Sequence, residues 1–293
     1  MGHVSVLPVE SIAALALDPD GTYVDATYGA GGHTALILAA LSSAGRIVAF
    51  DADPDARERV LPDPRVTLVH ANFRALRSEL EARGISQIHG ILYDLGTSSM
   101  QLDSAERGFS FREDAPLDMR LDPTQGESVA ELLAEREEKE IADIIFEFGD
   151  ERAARRIARA IVQKRTAGRV PTTTGELAAL VSGVVHQAGK RERTHPATRT
   201  FQALRIAVND ELGALRDSLD AAMDVVRPEG RIAVISFHSL EDRIVKTTFR
   251  DDPRVARVTR KPIVPTEEET SANPRSRSAK LRVASVTAQE SDE

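Results

Sequence analysis

The chain has 293 residues, of which 41% are hydrophobic, so it is long enough for two domains or for one domain that carries a large insertion. It contains no cysteine, which excludes disulfides, thiolate metal sites and cysteine nucleophiles. The formal net charge of -8 argues against a uniformly basic nucleic-acid-binding protein but leaves room for a local basic face.

The first hundred residues alternate between short apolar runs and helical patterns. Four strands are predicted, at 22–28, 46–50, 65–70 and 88–93. Helices are predicted between them, at 33–41, 54–60 and 74–83. Because strands that alternate with helices pair in parallel, we expect a parallel sheet with helices on both faces.

From about Ser104 the pattern changes to charged helical sequence that continues for about a hundred residues. It contains the capping-box signature Ser128-x-x-Glu131 and then helical patterns at 137–148 and 151–165. We therefore predict a helical insertion at 104–208, within an α/β domain made of residues 1–103 and 209–293.

Strands return in the last third of the chain. A strand is predicted at 231–236, between helices at 209–226 and 240–249. The runs 255–259 and 281–286 are predicted to pair as an antiparallel hairpin that closes the sheet.

The insertion is divided by charge. Residues 101–149 hold fourteen acidic and five basic side chains, whereas residues 150–205 hold four acidic and twelve basic ones. Charges at helical spacing are typical of solvated helix faces. A positive excess of this size in an acidic protein also suits an RNA backbone, and the sequence leaves both interpretations open.

Three glycines lie where the first strand becomes the first helix, in Asp25-Ala26-Thr27-Tyr28-Gly29-Ala30-Gly31-Gly32-His33. Such a turn lets a nucleotide-type ligand approach the backbone and meet the unpaired N–H groups of the helix. The turn is not the dinucleotide fingerprint, because Thr34 stands in place of the third glycine. A plain tight turn is the alternative interpretation.

Two side chains at later strand ends favour the ligand interpretation. Asp51 ends the second strand, where a carboxylate accepts hydrogen bonds from both ribose hydroxyls of an adenosine cofactor. Phe73 follows the third strand and is placed to flank an adenine. Asp51 as a cap of the helix at Pro54, and Phe73 as a core residue, are the alternatives.

The fourth strand ends in a segment of small and hydroxylated residues, Asp94-Leu95-Gly96-Thr97-Ser98-Ser99-Met100-Gln101-Leu102-Asp103. Such a loop can hydrogen-bond a substrate and part of a cofactor, or can be a simple connector. It falls at the carboxyl edge of the sheet, where open α/β folds bind ligands.

At this point the chain resembles a known family, RsmH (MraW), whose members transfer a methyl group from S-adenosylmethionine to cytosine N4 of 16S ribosomal RNA. The resemblance extends over almost the whole sequence. The matching stretches occur in the same order as in the family, at 3–10, 25–33, 94–103, 106–111, 116–120, 195–203, 235–243 and 273–277. Departures are small: Ala30 stands where many relatives have arginine, and Met100 where proline is common.

The resemblance implies a Rossmann-like class I methyltransferase sheet, mostly parallel with an antiparallel closing strand, and an inserted all-helical domain beside the active site, which we predict to recognise RNA. It implies that S-adenosylmethionine is bound by seven residues: Gly31, Gly32, His33, Asp51, Phe73, Asp94 and Gln101. Arg199 and His238 are predicted to contact the substrate, although a structural hydrogen-bonding role explains His238 equally well. No metal site is predicted, since no H-E-x-x-H or similar spacing occurs.

The predicted function is methylation of the exocyclic N4 of a cytidine in 16S ribosomal RNA, with that RNA or the small ribosomal subunit as partner. The sequence has no apolar run near 18 residues and no signal-peptide order, so we expect a cytoplasmic protein with no membrane partner. Homodimer formation is left open. The rival functions are a DNA or small-molecule methyltransferase and an RNA-binding assembly factor without turnover.

Overall fold

The computed structural model of the protein describes residues 5–186 and 195–288; the ends of the predicted α/β domain, at 1–4 and 289–293, lie outside the described residues. The described chain forms two compact units. Residues up to 96 and from 212 onward form the first, which we call the sheet unit, and residues 97–211 form the second, the helical unit. No helix in the described ranges is long and apolar enough to cross a bilayer.

A seven-stranded sheet forms the centre of the sheet unit. Its strands are Thr22–Asp25 (β1), Arg46–Asp51 (β2), Val66–His70 (β3), Ile88–Asp94 (β4), Val226–Ser236 (β5), Val255–Arg257 (β6) and Lys280–Val286 (β7). They lie in the order β3-β2-β1-β4-β5-β7-β6. Neighbouring strands from β3 to β5 pair in parallel, whereas β7 runs antiparallel to both β5 and β6. The predicted mostly parallel sheet with an antiparallel closing strand is confirmed.

The central strands are apolar on both faces because helices cover both sides of the sheet. Ile91, Leu92, Val234 and Ile235 are fully buried in β4 and β5. The helices of this unit are Pro8–Leu15 (α1), Gly32–Ala40 (α2), Leu76–Glu81 (α3), Glu211–Val225 (α10, whose first residue belongs to the helical unit), Ser239–Asp251 (α11) and Glu267–Ala272 (α12).

The helical unit has its own apolar core. Its helices are Ser99–Asp103 (α4), Val129–Glu135 (α5), Glu138–Gly149 (α6), Ala154–Thr166 (α7), Thr174–His186 (α8) and Thr198–Asn209 (α9). The predicted capping box at Ser128 is confirmed, since the Glu131 N–H donates to Ser128 Oγ and the Ser128 N–H donates to the Glu131 carboxylate. In α7, Ile157 and Ile161 are buried in this core while the arginines of the opposite face are exposed.

Three predicted elements are present but differ from the prediction in their bounds or helix type, for identifiable reasons. The first strand ends at Asp25 rather than residue 28, because the Asp25 carboxylate accepts from the Thr27 N–H and turns the chain. The segment Pro54–Arg59 is a 3₁₀ turn instead of an α-helix. The helix predicted at 209–226 is confirmed as α10, but it begins two residues later, because Asp210 adopts the left-handed conformation and ends α9.

Candidate active site

Four parallel strands of the sheet unit end at one edge. Asp25 ends β1, Asp51 ends β2, Asp94 ends β4 and Ser236 ends β5. The parallel registers place Asp94 beside Ile235 of β5, and Asp25 beside Leu92 of β4. Three carboxylates therefore lie along the carboxyl edge of the sheet, which is where open α/β folds bind ligands.

The glycine turn follows β1 and leads into α2. Gly31 has a φ of 76°, donates its N–H to the Tyr28 carbonyl, and is the N-cap residue of α2. A Cβ at position 31 would lie 2.5 Å from the Tyr28 hydroxyl, so the turn requires glycine on grounds of both conformation and space. Because Gly31 offers no side-chain acceptor, the N–H groups of Gly32 and His33 at the start of α2 are open to an anionic or polar ligand, whereas the Thr34 N–H is held by the Asp25 carboxylate.

Asp51 ties the glycine turn to the end of β2. One carboxylate oxygen accepts from the Gly29 N–H at 2.8 Å, and the other accepts from the Asp53 N–H at 2.8 Å. The alternative of a helix cap is excluded, since Asp53 caps the 3₁₀ turn by accepting from the Asp55 N–H. Each oxygen keeps a second lone pair, so Asp51 can accept hydrogen bonds from two hydroxyl groups of a ligand.

Burial raises the pKa of Asp51 to about 6, and the hydrogen bonds from Asp53 and Gly29 limit that rise. The carboxyl of Asp94 also has a pKa raised to about 6 by burial, which His33 opposes and Asp25 reinforces. Two acceptors at this edge are thus ionised at neutral pH and become protonated just below it.

His33 and Asp94 form a contact beside the turn. The Nε2 atom of His33 lies 3.0 Å from the Val6 carbonyl, which can only accept, so Nε2 carries a hydrogen. The Nδ1 atom lies 3.5 Å from Asp94 Oδ2. Because both atoms are acceptors when neither is protonated, the contact is favourable only when one of the two carries a hydrogen. The other oxygen, Asp94 Oδ1, is buried and accepts no hydrogen bond from any residue that the structure describes.

Phe73 opens a 3₁₀ turn immediately after β3. Its half-buried ring meets Tyr93 edge to face, with the ring centroids 5.7 Å apart. A ring held by an aromatic neighbour and still accessible suits stacking against a planar base.

Asp25 was missed as a site residue by the sequence reasoning. It is fully buried and accepts hydrogen bonds from the Thr34 hydroxyl at 2.6 Å and from the Thr27 N–H at 3.1 Å. The Thr27 hydroxyl in turn accepts from the Asp94 N–H at 2.7 Å. Asp25 therefore fixes the turn, α2 and the end of β4 together, and its place as the first residue of the glycine motif was the available signal.

His238 follows β5 and caps α11. Its Nδ1 accepts from the Glu241 N–H at 3.4 Å, and its Nε2 lies 3.1 Å from Glu241 Oε1. The Glu241 carboxylate accepts from the N–H groups of Phe237 and His238, which completes a capping box. The structure thus gives His238 a structural role, and its predicted contact with substrate stays a prediction.

Substitution of His238 separates these two roles. We expect His238→Ala to lower the free energy of unfolding by about 1 kcal/mol through loss of the cap, and His238→Asn to restore most of it because asparagine also caps helices. Thermal unfolding of the three proteins measures this. Since both ring nitrogens face Glu241, we expect RNA turnover to recover with stability; an asparagine variant that is stable but inactive on RNA would establish direct substrate contact.

Gln101 and Arg199 belong to the helical unit. The buried Gln101 closes a capping box with Ser98 at the start of α4. Arg199, in the first turn of α9, reaches the Asp150 carbonyl at 3.4 Å. The exposed His195 stacks on Phe111 with the centroids 4.5 Å apart. These local contacts leave the predicted ligand roles of Gln101 and Arg199 as predictions.

The residues at the sheet edge fit an adenosine cofactor that carries a cationic amino acid. Gly31 provides a cradle that a Cβ would fill, Asp51 can take ribose hydroxyls, and the unpartnered Asp94 Oδ1 can accept from an ammonium group. Together with the sheet order, this arrangement defines a class I methyltransferase that uses S-adenosylmethionine.

The chain is similar to several known proteins. The family model for the MraW methylase family matches residues 1–287, and the chain belongs to this family. A relative from Methylibium petroleiphilum, called ribosomal RNA small subunit methyltransferase H, is 50% identical over 97% of this chain and 95% of its own length. One of the same name from a Paenibacillus species is 49% identical over 96% and 98%. A solved rRNA methylase from Streptococcus thermophilus is similar over 96% of this chain and 97% of its own, with a TM-score of 0.46 and 13% identity.

Proposed function

We propose that the protein transfers a methyl group from S-adenosylmethionine to the exocyclic N4 of a cytidine in 16S ribosomal RNA, in the cytoplasm. The observation that carries the methyl transfer is the unpartnered Asp94 Oδ1, at the same sheet edge as the glycine turn and Asp51. Relatives about half identical over nearly their whole length bear the name of small-subunit RNA methyltransferases, which supports the RNA as substrate. The choice of cytosine N4 rests on the family resemblance of the motifs.

Each predicted cofactor residue has a distinct part in this proposal. Gly31, Gly32 and His33 present the open end of α2, and Asp51 accepts the ribose hydroxyls. Phe73 stacks on the adenine, while Asp94 and Gln101 hold the methionine portion. When bound, S-adenosylmethionine supplies an electrophilic methyl group on its sulfonium.

Cytosine N4 is a weak nucleophile, so the protein must orient it accurately. The lone pair of cytosine N4 is delocalised into the ring, so orientation against the methyl group has to supply much of the rate. A base inside a helix cannot adopt that orientation, so the RNA must present it unstacked, in a loop or a distorted strand. Asp25, by fixing the turn and the end of β4 together, keeps the cofactor side of this geometry rigid.

We propose that the predicted insertion, residues 104–208, recognises the RNA. The outer face of α7 supports this, because Arg155, Arg156 and Arg159 are exposed on one side of a helix whose opposite side is buried. Glu138 lies 3.7 Å from Arg159 and offsets its charge, whereas Arg156 donates to the neutral Val184 carbonyl and keeps its charge. Arg199 at the start of α9 is the proposed RNA contact of the same unit.

The raised pKa values predict how cofactor binding depends on pH. Protonation turns one Asp51 oxygen into a donor and weakens the carboxyl as an acceptor of ribose hydroxyl hydrogens, and it removes the charge that attracts an ammonium group to Asp94. Affinity for S-adenosylmethionine is therefore expected to be constant between pH 7 and 8 and to fall about tenfold per pH unit, or more, below about 6. Calorimetric titration from pH 5 to 8 measures it; an affinity that stays level to pH 5 would contradict the proposed roles.

Transfer of a labelled methyl group tests the proposed function. The protein is incubated with labelled S-adenosylmethionine and, in separate reactions, small ribosomal subunits, naked 16S RNA, DNA of matched length and a buffer blank. We expect label in ribosomal RNA alone. Label in DNA would favour the first rival function, and tight RNA binding with no label in either RNA substrate would favour the assembly factor.

A further inference from the structure

A basic segment of the sheet unit is not used by the proposed site. Residues 257–280 contain six basic and three acidic side chains and include the motif Asn273-Pro274-Arg275-Ser276-Arg277. Arg260, Lys261 and Arg277 are all exposed, and none of them makes an ion pair or hydrogen bond within the described part of the chain. We call these three residues the basic ridge.

The register of the sheet places the ridge at the edge that carries the candidate active site. Asp94 of β4 pairs with Ile235 of β5, Ile235 pairs with Leu281 of β7, and Leu281 exchanges both backbone hydrogen bonds with Ile263. These four residues form one row across the sheet. At about 4.8 Å between strands, the row spans about 14 Å from Asp94 to Ile263.

Both parts of the ridge lie next to the far end of this row. Arg260 and Lys261 lie between Thr259, whose N–H donates to the Val283 carbonyl, and Ile263. Arg277 lies three residues before Lys280, which pairs with Ser236 at the end of β5. Sequence positions sixteen residues apart are thus brought together by β7.

Local structure turns the second part of the ridge outward. Ser276 is fully buried and its hydroxyl donates to the Asn273 carbonyl, while the Ala279 N–H donates to the Ser276 carbonyl. The 3₁₀ turn Pro274–Ser278 is therefore anchored by Ser276, and its arginine at 277 projects to solvent. The acidic side chains between the two parts, on α12, include Glu269, which accepts from the Leu7 N–H.

We infer that the basic ridge binds the phosphate backbone of the substrate RNA beside the base that is methylated. This rests on the proposed function and adds an RNA contact on the sheet unit to the one proposed for the insertion. Exposed Lys and Arg side chains without an ion-pair partner bind phosphate groups readily. The row of about 14 Å from Asp94 to Ile263, beside which the ridge lies, corresponds to about four nucleotides at ~3.4 Å per stacked residue, so the ridge is expected to meet the strand a few nucleotides from the target.

The test compares two triple variants of the full chain. The ridge variant carries Arg260→Gln, Lys261→Gln and Arg277→Gln. The control carries Arg46→Gln, Arg83→Gln and Arg227→Gln, which removes the same charge from exposed side chains at the opposite, amino edge of the sheet. Affinity for naked 16S RNA is measured between 50 and about 200 mM salt, together with affinity for S-adenosylmethionine and methyl transfer.

The ridge variant is expected to bind the RNA on the order of 10- to 100-fold more weakly, and the slope of log affinity against log salt is expected to fall by about 2 to 3. Its affinity for S-adenosylmethionine should match that of the wild type, which also shows that it folds. Equal slopes for the ridge and control variants would overturn the inference.

Two further outcomes separate this inference from the proposed function. If the wild-type protein methylates no ribosomal RNA, the proposed function fails. The salt dependence of RNA binding by the ridge and control variants still shows whether the ridge contacts RNA. A ridge variant that binds and methylates naked 16S RNA normally, but fails on assembled subunits, would assign the ridge to a protein surface and overturn its assignment to RNA.

Discussion

Replacement of Gly31 by alanine is expected to weaken binding of S-adenosylmethionine by on the order of 100-fold, the loss that a misplacement of about 1 Å can produce at a preorganised site. The new Cβ would lie 2.5 Å from the Tyr28 hydroxyl and 2.7 Å from Cζ of the same ring. Tyr28 cannot move aside easily, because its buried hydroxyl donates to the Arg59 carbonyl and accepts from the Leu61 N–H. The turn must therefore shift, and the open N–H groups of α2 shift with it.

Gly84 provides a matched control for this variant. It also has a positive φ, of 68°, but a Cβ there would meet nothing within 4 Å. Both alanine variants are therefore expected to lose about 1–2 kcal/mol of unfolding free energy from the left-handed backbone alone. Calorimetric titration with S-adenosylmethionine should show normal affinity for Gly84→Ala; equal affinities in the two variants would mean that the glycine turn does not hold the cofactor.

The substitution Asp94→Asn is expected to move stability and cofactor affinity in opposite directions. In the free protein the buried carboxylate has one unpartnered oxygen, and its other oxygen faces the Nδ1 atom of His33. An asparagine amide can donate to that Nδ1 and brings no charge into the interior. Loss of the charged acceptor should meanwhile weaken binding of S-adenosylmethionine about 10- to 100-fold.

The pH dependence of that stability gain has a definite sign. Burial raises the pKa of Asp94 to about 6, so the folded protein holds the proton more tightly than the unfolded chain, whose aspartates titrate near 4. The destabilisation by Asp94 therefore grows as pH rises from about 4 to 6 and is complete above 6. Denaturant unfolding should show Asp94→Asn more stable than wild type at pH 7 and equal to it near pH 4; a variant less stable at pH 7 would contradict this account of Asp94.

Those features of the fold that depend on local pattern could be predicted from the sequence. Alternation of apolar runs with helical segments predicted the parallel strands, and with them the placement of Asp51 and Asp94 at strand ends. The motif Ser128-x-x-Glu131 predicted a helix start because both of its hydrogen bonds are local. The exact start of α10 could not be predicted, since no local pattern marks the left-handed conformation of Asp210 that precedes it.

The contacts within the site depend on residues far apart in the chain. Asp51 had two interpretations in the sequence, and the choice came from Asp53, which occupies the capping position instead. The tautomer of His33 is set by Val6, and the environment of Asp94 by His33 and Asp25. The basic ridge could not be predicted from the sequence either, because only the pairing of β7 brings residue 277 beside 260 and 261.

The most direct test of the proposed function is the chemical identity of the methylated nucleoside. Small ribosomal subunits or 16S RNA that lack the modification are treated with the protein and S-adenosylmethionine, digested to nucleosides and separated against standards by mass spectrometry. The family resemblance predicts a new cytidine methylated at N4. The product should be absent when the Asp94→Asn protein is used at a cofactor concentration well below the dissociation constant of that variant. Methylation at ring carbon C5, on another base, or on neither RNA would contradict the proposal.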